Sequence, residues 1–201
     1  VPQHRQRVII VGTRMDRSFS FPEPNSKKIG SLLPRHTVGE AIYDLLNKDE
    51  KFPNHLALNH TETVVKRYKL IKEGGKLPPP EELPKEIRRK NFGSTYQRLN
   101  SKTPSMTLVP GNNAFPVHPT LNRSLTPREA ARIQSFPDDH ILAGTRRKQC
   151  ILVGNAVAPL LAANLGLEIK KHLFDKTYPS NNIDLVKKRG FLDLTLSLIH
   201  I

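Results

Sequence analysis

Residues 123–137, with the sequence RSLTPREAARIQSFP, form the most informative stretch of this chain. Thr126 and Glu129 have the spacing of a capping box, in which each side chain bonds the backbone N–H of the other residue. Pro127 follows at the first helical position, where its missing N–H removes no hydrogen bond. Phe136-Pro137 ends the pattern because proline cannot continue a helix. The stretch therefore predicts a short helix whose start and end are both specified locally.

A longer helical pattern lies downstream of this stretch. Gly154-Asn155 leads into residues 156–174, where apolar residues keep a helical spacing. We expect Gly154-Asn155 to form a turn at the N-terminus of this helix, where free backbone N–H groups can bind an anion or cofactor. An ordinary helix cap is the alternative. Residues 175–201 are expected to be a tail, and we interpret residues 194–201 as non-native and assign them no function.

The upstream half of the chain predicts two short helices and a loop-rich region. Thr37 and Glu40 form a second capping box, and residues 61–72 form a helical pattern that Gly74-Gly75 stops. Between residues 91 and 120, glycine, proline and small polar residues predict short strands and loops. The best strand candidate in this region is Met106–Val109.

The N-terminal segment combines basic residues with an apolar run. Residues 8–12 (VIIVG) are rich in β-branched residues and predict a buried strand. Few other strand signals occur, so we expect its sheet partners to lie upstream of Val1. Alternation in an extended chain places Gln3, Arg5 and Arg7 on one face. Two guanidinium groups there can clamp a phosphate or a base carbonyl, and a solvated start of the strand is the equally open alternative.

Composition narrows the function classes. The chain has 201 residues with a net charge of +14, which indicates a polyanionic partner, nucleic acid first, or simply a solvated basic surface. A single cysteine, Cys150, excludes an internal disulfide framework and a cysteine-based zinc site, and we expect it to be a buried, inert thiol. His55 and His60 are expected to be surface or capping residues, with no metal bound. No apolar run predicts a membrane helix.

Taken together, these motifs resemble the C-terminal part of a cytosine-5 DNA methyltransferase. Residues 2–12 (PQHRQRVIIVG) are similar to motif VIII of that family, residues 123–137 to motif IX, and residues 154–159 (GNAVAP) to motif X. Residues 96–99 (YQRL) and 104–108 (PSMTL) match a bacterial pattern within the family's target-recognition domain. The resemblance covers roughly residues 1–172.

The resemblance implies an α/β fold: a fragment of a doubly wound, Rossmann-like methyltransferase domain plus an irregular β- and loop-rich target-recognition domain. The implied segments are residues 1–36 (end of the catalytic domain), 37–122 (target recognition), 123–139 (motif IX helix), 140–174 (motif X and return to the catalytic domain) and 175–201 (tail).

The resemblance also implies a chemistry. The enzyme flips a cytosine out of duplex DNA, a cysteine thiolate adds to C6, and C5 then takes the methyl group of S-adenosylmethionine. Arg7 is implied to contact O2 of the base, with Arg5 and Gln3 in support. Asn155, Ala156 and Val157 are implied to line the methyl-donor pocket. The implied DNA contacts are Thr107, Tyr96, Arg98, Lys102, Arg123 and Arg128. For some of the arginines of motif IX, buried packing or ion pairing is the stronger interpretation.

Three parts of the family's machinery do not occur in this sequence: a Pro-Cys pair, a Glu-Asn-Val segment and a Phe-x-Gly-x-Gly turn. We therefore expect the chain to be inactive alone and to act with double-stranded DNA and an upstream catalytic half, in the same chain or a separate subunit. The alternatives are a non-catalytic recognition subunit of a split methyltransferase and a stand-alone basic DNA-binding protein. We expect no metal and no membrane association, and a restriction–modification role in the cytoplasm of a bacterium, at the nucleoid.

Overall fold

The computed structural model describes residues 1–14, 16–22, 36–89, 94–109, 115–175 and 193–200. The chain divides into two compact units. One unit comprises Val1–His4 and Arg35–Ala158, and the other comprises Arg5–Pro34 and Pro159–Ile201. Most of the sequence motifs therefore belong to the first unit, whereas the strand that carries Arg7 belongs to the second.

The described residues of the first unit form four α-helices: α1 (Val38–Ile42), α2 (Glu62–Lys69), α3 (Pro127–Ile133) and α4 (Arg146–Asn155). A 3-10 helix continues α1, and three further 3-10 turns lie between α2 and α3; their ranges are Tyr43–Asn47, Pro80–Glu82, Lys85–Ile87 and Ser94–Tyr96. The two helices predicted in this part of the sequence are confirmed as α1 and α2, although α2 ends three residues earlier than its pattern, at Lys69.

Both predicted capping boxes are confirmed. The Thr126 hydroxyl accepts from the Glu129 N–H at 3.1 Å, and the Glu129 carboxylate accepts from the Thr126 N–H at 2.8 Å. Thr37 and Glu40 exchange the equivalent bonds at 3.2 and 3.0 Å. Ser135 adopts a positive φ of 65° directly after α3, so this helix stops just before Phe136-Pro137.

One apolar cluster joins α1, α3 and α4. Its buried members from these three helices and their flanks include Val38, Ile42, Leu45, Leu125, Ala130, Ile133, Cys150 and Val153. A second cluster collects the region from α2 to Tyr96 and comprises Tyr68, Ile71, Leu77, Leu83, Ile87, Tyr96 and Val117. Because α3 contacts both α1 and α4, the motif IX helix lies at the centre of the first cluster.

The strand predicted at Met106–Val109 is wrong. The residues next to it form one isolated parallel bridge, between Gln3 and Ser105, and the other bridges of this region join Lys76 to Gln97, Arg98 to Val117 and Val117 to Ser124. Pro104 lacks the N–H that a continuous ladder requires at that position. In the described part of the predicted target-recognition region, β-pairing therefore consists of single bridges between loops.

The second unit contains β1 (Gln6–Thr13), which pairs antiparallel with β2 (Asp193–His200) in a register from Gln6↔His200 to Thr13↔Asp193. The predicted strand is confirmed, but its burial is wrong: Val8 is 63% and Ile10 59% exposed. Part of the expected tail, Asp193–His200, forms β2, in which apolar and polar residues alternate. The interpretation of residues 194–201 as non-native stays a prediction. This two-stranded sheet is the only one that the described residues contain, so the expected doubly wound sheet is not among them.

The helix predicted from residue 156 begins instead at Pro159. It is α5 (Pro159–Ile169), which a π-helical turn continues over Lys170–Phe174. Gly154 and Asn155 close α4, and Ala156 is extended with ψ 153°. Proline favours the first helical position, which explains the start at Pro159. α4 was not predicted, because basic residues in its first turn oppose the helix dipole.

The stretch Arg146–Phe174 has the length and apolar composition of a membrane-crossing helix, a property that core helices share. Its helical geometry is interrupted, however, because Ala156 is extended. The pieces on either side, α4 and α5 with its π-helical turn, are each shorter than the roughly 20 residues that a bilayer requires. The expectation of no membrane association stays a prediction.

Candidate functional site

The buried guanidinium group of Arg128 organises the region around α3. Arg128 is fully buried, and its Nε donates to the Pro53 carbonyl at 3.0 Å. Its Nη atoms donate to the carbonyls of Pro137 and His140 at 2.9 and 2.8 Å, and to Asn54 Oδ1 at 3.2 Å. Burial lowers the pKa of this guanidinium. Arg128 therefore ties the Pro53-Asn54 turn to the segment after α3 and faces inward.

Arg123 is also engaged within the protein. Its two Nη atoms donate to the two carboxylate oxygens of Glu129 at 2.8 and 2.7 Å. Burial alone would raise the pKa of the Glu129 carboxyl, but the hydrogen bonds and charge of Arg123 outweigh it, with a further contribution from the Thr126 N–H, so this pKa lies below its ordinary value. A bidentate pair of this kind occupies the face of the guanidinium that would otherwise receive a phosphate.

The sequence interpretation missed a buried histidine beside this pair. His118 is fully buried, and its Nδ1 accepts from the N–H groups of Thr120 and Leu121 at 3.2 and 3.1 Å. Its Nε2 lies 3.8 Å from Glu129 Oε1. Burial lowers the pKa of His118 to about 4. The imidazole is therefore neutral at pH 7, and no spacing signal in the sequence predicts it.

His55 and His60 lie near the start of α3; of the two expected environments, surface or capping, neither side chain has the exposed one, and both rings bond residues that lead into α3. His55 is buried with Nδ1 3.1 Å from Thr126 Oγ1, and the partly buried His60 accepts through Nε2 from the Ser124 N–H at 3.2 Å. Burial lowers the pKa of both imidazoles. Among the described residues, no group of three or more His, Cys, Asp or Glu could hold a metal ion.

Arg98 uses every N–H donor of its guanidinium inside the protein. Arg98 is 5% exposed, and burial lowers its pKa. The five bonds, of 2.7–2.8 Å, go to the carbonyls of Ile71, His118, Leu121 and Tyr68 and to Asn122 Oδ1. A guanidinium has five N–H donors, so none is left for a phosphate in this arrangement.

Tyr96 is likewise part of the interior. Its ring is 5% exposed and packs 5.6 Å from the ring of Tyr68. Its hydroxyl accepts from Arg67 and Arg89 at 3.1 and 3.3 Å. Lys102 differs, because its side chain is exposed and its ammonium group makes no hydrogen bond or ion pair with the described residues. Of the expected DNA contacts in this loop region, Lys102 is the one that presents a charge to solvent.

A backbone clasp connects the N-terminal segment to the loop that contains Thr107. The His4 N–H donates to the Ser105 carbonyl at 2.7 Å, and the Ser105 N–H donates to the Pro2 carbonyl at 2.8 Å. The Thr107 hydroxyl adds a bond to the His4 carbonyl at 2.8 Å. Gln3 is 1% exposed, and neither polar atom of its amide has a hydrogen-bond partner among the described residues.

Arg5 and Arg7 have different environments. Arg5 is 6% exposed, and burial, with a contribution from the charge of Arg7, lowers the pKa of its guanidinium. Arg7 is exposed on β1, and its Nη1 donates to the carbonyl of Gln6 at 2.7 Å. This bond to its own neighbour leaves the rest of the Arg7 guanidinium open to solvent or to another molecule.

The expected methyl-donor wall lies in the connection after α4. Asn155 is exposed, Ala156 is half-buried and Val157 is 63% exposed, so an amide and an apolar side chain are both accessible. The Gln134 amide donates to the Val153 carbonyl and holds the end of α4 on α3. Cys150 is 1% exposed and burial raises its pKa, which confirms the prediction of a buried thiol.

Comparison with known proteins gives one family and several relatives. The family described as C-5 cytosine-specific DNA methylase matches residues 1–171. The type II methyltransferase M1.HphI of Haemophilus parahaemolyticus is 35% identical over 176 residues, which cover 85% of this chain and 45% of the relative. M.NgoFVII of Neisseria gonorrhoeae is 33% identical over 195 residues, covering 94% and 50%. The chain thus spans about half the length of these two relatives.

A third relative is shorter. The type II methyltransferase M.AquIB of a Picosynechococcus strain is 34% identical over 139 residues, which cover 64% of this chain and 94% of the relative. The match therefore includes nearly all of that protein.

Proposed function

Because the chain belongs to the C-5 cytosine-specific DNA methylase family, we propose that it supplies the C-terminal portion of an enzyme that methylates C5 of a flipped cytosine in duplex DNA. The family match over residues 1–171 is the observation that carries this proposal. The relatives, which are bacterial type II methyltransferases, favour a modification enzyme that acts on DNA in the bacterial cytoplasm, at the nucleoid.

Exposed apolar side chains in the second unit support the idea that further polypeptide covers them. Val8 and Ile10 on β1 are more than half exposed, and so are Leu160 and Leu167 on α5. Burying such side chains contributes about 1.5–3 kcal/mol each. A complementary catalytic half that packs on β1 and α5 would gain this free energy.

In the assembled enzyme, Arg7 would polarise the base. Cytosine is a poor acceptor, and attack at C6 builds negative charge toward O2 of the ring. A guanidinium aimed at O2 stabilises that charge most in the transition state, which is where stabilisation accelerates a reaction. Arg7 suits this role because its guanidinium is exposed, whereas the buried Gln3 and Arg5 suit support of the backbone.

The residues after α4 fit the methyl donor. The exposed Asn155 amide can hydrogen-bond, and Val157 offers an apolar contact, with Ala156 between them. S-adenosylmethionine, when bound, supplies the methyl group. The thiolate nucleophile would come from the complementary half, since Cys150 is buried with a raised pKa.

For DNA binding, we propose that the expected contact residues have two different roles, direct contact with DNA and support of the surface from within. Lys102 contacts a phosphate with its exposed ammonium group. Four of the other five shape the surface from within, through the internal contacts described above; they are Tyr96, Arg98, Arg123 and Arg128.

The proposal is tested by complementation. The chain is mixed with the part of M1.HphI that lies outside the match, and methyl transfer from tritiated S-adenosylmethionine to plasmid DNA is measured; this mixture is called the assembled enzyme below. We expect transfer by the assembled enzyme and none by either part alone. Transfer by the chain alone, or none by a mixture that forms a stable complex, would contradict the proposal.

A separate recognition subunit is the second candidate, and the match to nearly all of M.AquIB favours it. In that case the chain and its complement associate without a covalent link. A dissociation constant in the micromolar range or below, measured by calorimetry for the two parts, is expected for such a subunit. Activity that appears only when the two parts are genetically fused would contradict this candidate. A stand-alone DNA-binding protein is the weaker alternative, because it would have no use for the exposed Asn155 and Val157 as a methyl-donor surface.

A further inference from the structure

We propose that Arg67 and Arg89 form a binding site for a phosphate group of the DNA backbone. This inference rests on the proposed function, because duplex DNA is the partner that supplies the phosphate. Arg67 lies on α2, and Arg89 follows the 3-10 turn Lys85–Ile87. The sequence motifs assign no role to either residue, and the two side chains meet only through the fold.

The two guanidinium groups converge on one oxygen atom. The Tyr96 hydroxyl accepts from Nη1 of Arg67 at 3.1 Å and from Nη1 of Arg89 at 3.3 Å. Both groups also lie over the Tyr96 ring, with their Cζ atoms 5.9 and 5.6 Å from its centroid. Arg67 is fixed further, because its Nε donates to the Ile87 carbonyl at 2.7 Å. The pair is therefore held in place before a ligand binds, which reduces the entropy lost on binding.

Among the described residues, no carboxylate forms a salt bridge with either guanidinium. Glu62, in the first turn of α2, bonds Lys66 instead, at 2.9 Å. This bond, with a smaller contribution from the charge of Glu86, raises the pKa of the Lys66 ammonium group. Two like charges that are held side by side repel each other, and a bound anion relieves that repulsion. The electrostatics of the pair therefore favour an anion.

Both arginines keep N–H donors for such an anion. A guanidinium group has five N–H donors. Within the described residues, Arg67 uses two of these donors and Arg89 uses one. Arg89 is exposed, so a ligand reaches the pair from solvent. Arg98 differs, because all five of its donors bond groups of the protein.

A phosphate group of duplex DNA fits these donors and their surroundings. Two guanidinium groups can bond two oxygens of one phosphate, in the fork geometry that arginine provides and lysine does not. Contacts of this kind fix the position of a protein on the duplex without reading its sequence. Lys69 at the end of α2 and Lys72 beyond it are both exposed, and their charges favour an extended polyanion over a free phosphate ion.

The first measurement is DNA binding by the full chain. Fluorescence anisotropy with a labelled mixed-sequence duplex is recorded at several salt concentrations. Arg89→Gln is expected to weaken binding about three- to tenfold at low salt. It should also reduce the slope of log K against log salt by about 0.9, the value for one phosphate contact.

Arg88→Gln is the matched control for Arg89→Gln. Arg88 is the exposed neighbour in sequence, and its Nη2 donates to the Leu83 carbonyl at 3.2 Å. The control removes the same charge from the same segment but leaves the pair at Tyr96 intact, so its salt slope should stay close to that of the wild type. Equal changes in the two variants would overturn the site in favour of a general attraction between DNA and the basic surface.

The second measurement identifies the source of the phosphate. The Nε–Hε signal of Arg89 in ¹⁵N NMR spectra, assigned by its loss in Arg89→Lys, is followed at constant ionic strength. Duplex DNA is added to one sample and inorganic phosphate to another. We expect the signal to shift at DNA concentrations near the Kd, and with inorganic phosphate only at far higher concentrations. A shift with inorganic phosphate and none with DNA would overturn the assignment to the DNA backbone, and no shift with either would overturn the site itself.

Neither measurement depends on methyl transfer, which separates this inference from the proposed function. An assembled enzyme that gives no transfer, while Arg89 behaves as expected, would contradict the proposed function and still support the phosphate site. An assembled enzyme that transfers methyl groups, while Arg89→Gln binds DNA as the wild type does, would overturn the phosphate site alone.

Discussion

The arginines around α3 and the arginine on β1 have the same chemistry but opposite surroundings. Arg98 and Arg128 are buried and donate all or most of their N–H groups to carbonyls and amides of the protein. Arg7 is exposed and bonds the carbonyl of its own neighbour. The resemblance implied a nucleic-acid contact for all three, with packing or ion pairing as the alternative for Arg128.

This difference shows that a positive net charge does not locate a binding surface. A guanidinium that crosslinks loops is locked in place and supplies shape, whereas one with open donors can interact with a ligand. The net charge of +14 therefore overstates the charge available to DNA. Substitution of the buried arginines should therefore affect stability, whereas substitution of the exposed arginine should affect turnover.

Arg128→Ala should give the largest effect, on stability. Its removal leaves several buried carbonyls without a donor and opens a cavity beside α3, so we expect the free energy of unfolding to fall by about 3–5 kcal/mol. Urea denaturation of the full chain measures this loss. Arg147→Ala is the matched control, because Arg147 is exposed on α4 and should change stability by less than about 0.5 kcal/mol. Equal losses for both variants would contradict the distinction.

Arg7→Ala should give the opposite pattern. In the assembled enzyme we expect turnover to fall by about 10²–10³-fold, the range for removal of one group that stabilises transition-state charge, with little change in stability or in Kd for plasmid DNA. Arg14→Ala, also an exposed arginine of the N-terminal segment, serves as the control and should keep its turnover. A loss in DNA affinity as large as the loss in turnover would make Arg7 a phosphate contact.

Low pH should reduce the free energy of unfolding, because the buried His118 beside α3 is neutral in the folded chain. Burial lowers the pKa of His118 to about 4 in the folded chain, below its ordinary value of 6.5. Between these two pH values the imidazole binds a proton in the unfolded chain and stays neutral in the folded chain. Stability is therefore full above about pH 6.5 and falls as the pH drops toward 4, by about 2–3 kcal/mol from this group. His55 and His60, whose pKa values are also lowered, act in the same direction.

The measurement is the urea midpoint between pH 7.5 and 4.5. His118→Asn should reduce the slope of this midpoint with pH, because it removes the imidazole whose pKa burial lowers. Glu129 adds a loss at still lower pH, because its carboxyl pKa lies below the ordinary value. A midpoint independent of pH over this range would show that His118 is not held neutral by burial.

The sequence predicted local structure best where a few neighbouring residues specify it. The capping boxes at Thr37 and Thr126 were predicted correctly because their bonds join residues three apart. The start of α5 was misplaced because Gly154-Asn155 was interpreted as its N-terminal turn, whereas these residues close α4 and α5 begins at Pro159, a residue that favours the first helical position. The exposure of β1 was also missed, since an apolar run predicts a strand but not what lies on its faces.

Side-chain roles were the hardest to predict because they depend on distant residues. Arg98 reaches carbonyls twenty or more residues away, and Thr107 bonds a carbonyl 103 positions earlier. His118 and Glu129 meet only through the fold. The motif match identified α3 as important, but the reason, a buried network around Arg128, is visible only in three dimensions.

Lys102→Ala should give the smallest effect and the most informative one for the DNA surface. Loss of one phosphate contact should reduce the slope of log K against log salt by about 0.9 and weaken binding a fewfold at low salt, uniformly across DNA sequences. Fluorescence anisotropy with a labelled mixed-sequence duplex at several salt concentrations measures the slope. The comparison is Arg98→Met, which removes an equal charge from a buried site. Because every N–H donor of Arg98 is used inside the protein, any loss of DNA binding in this variant should be proportional to its loss of folded protein. Both variants are compared under conditions in which they are fully folded. An equal change in salt slope would show that a buried arginine contributes to DNA binding as much as the exposed Lys102, and would contradict the distinction between buried and exposed charges.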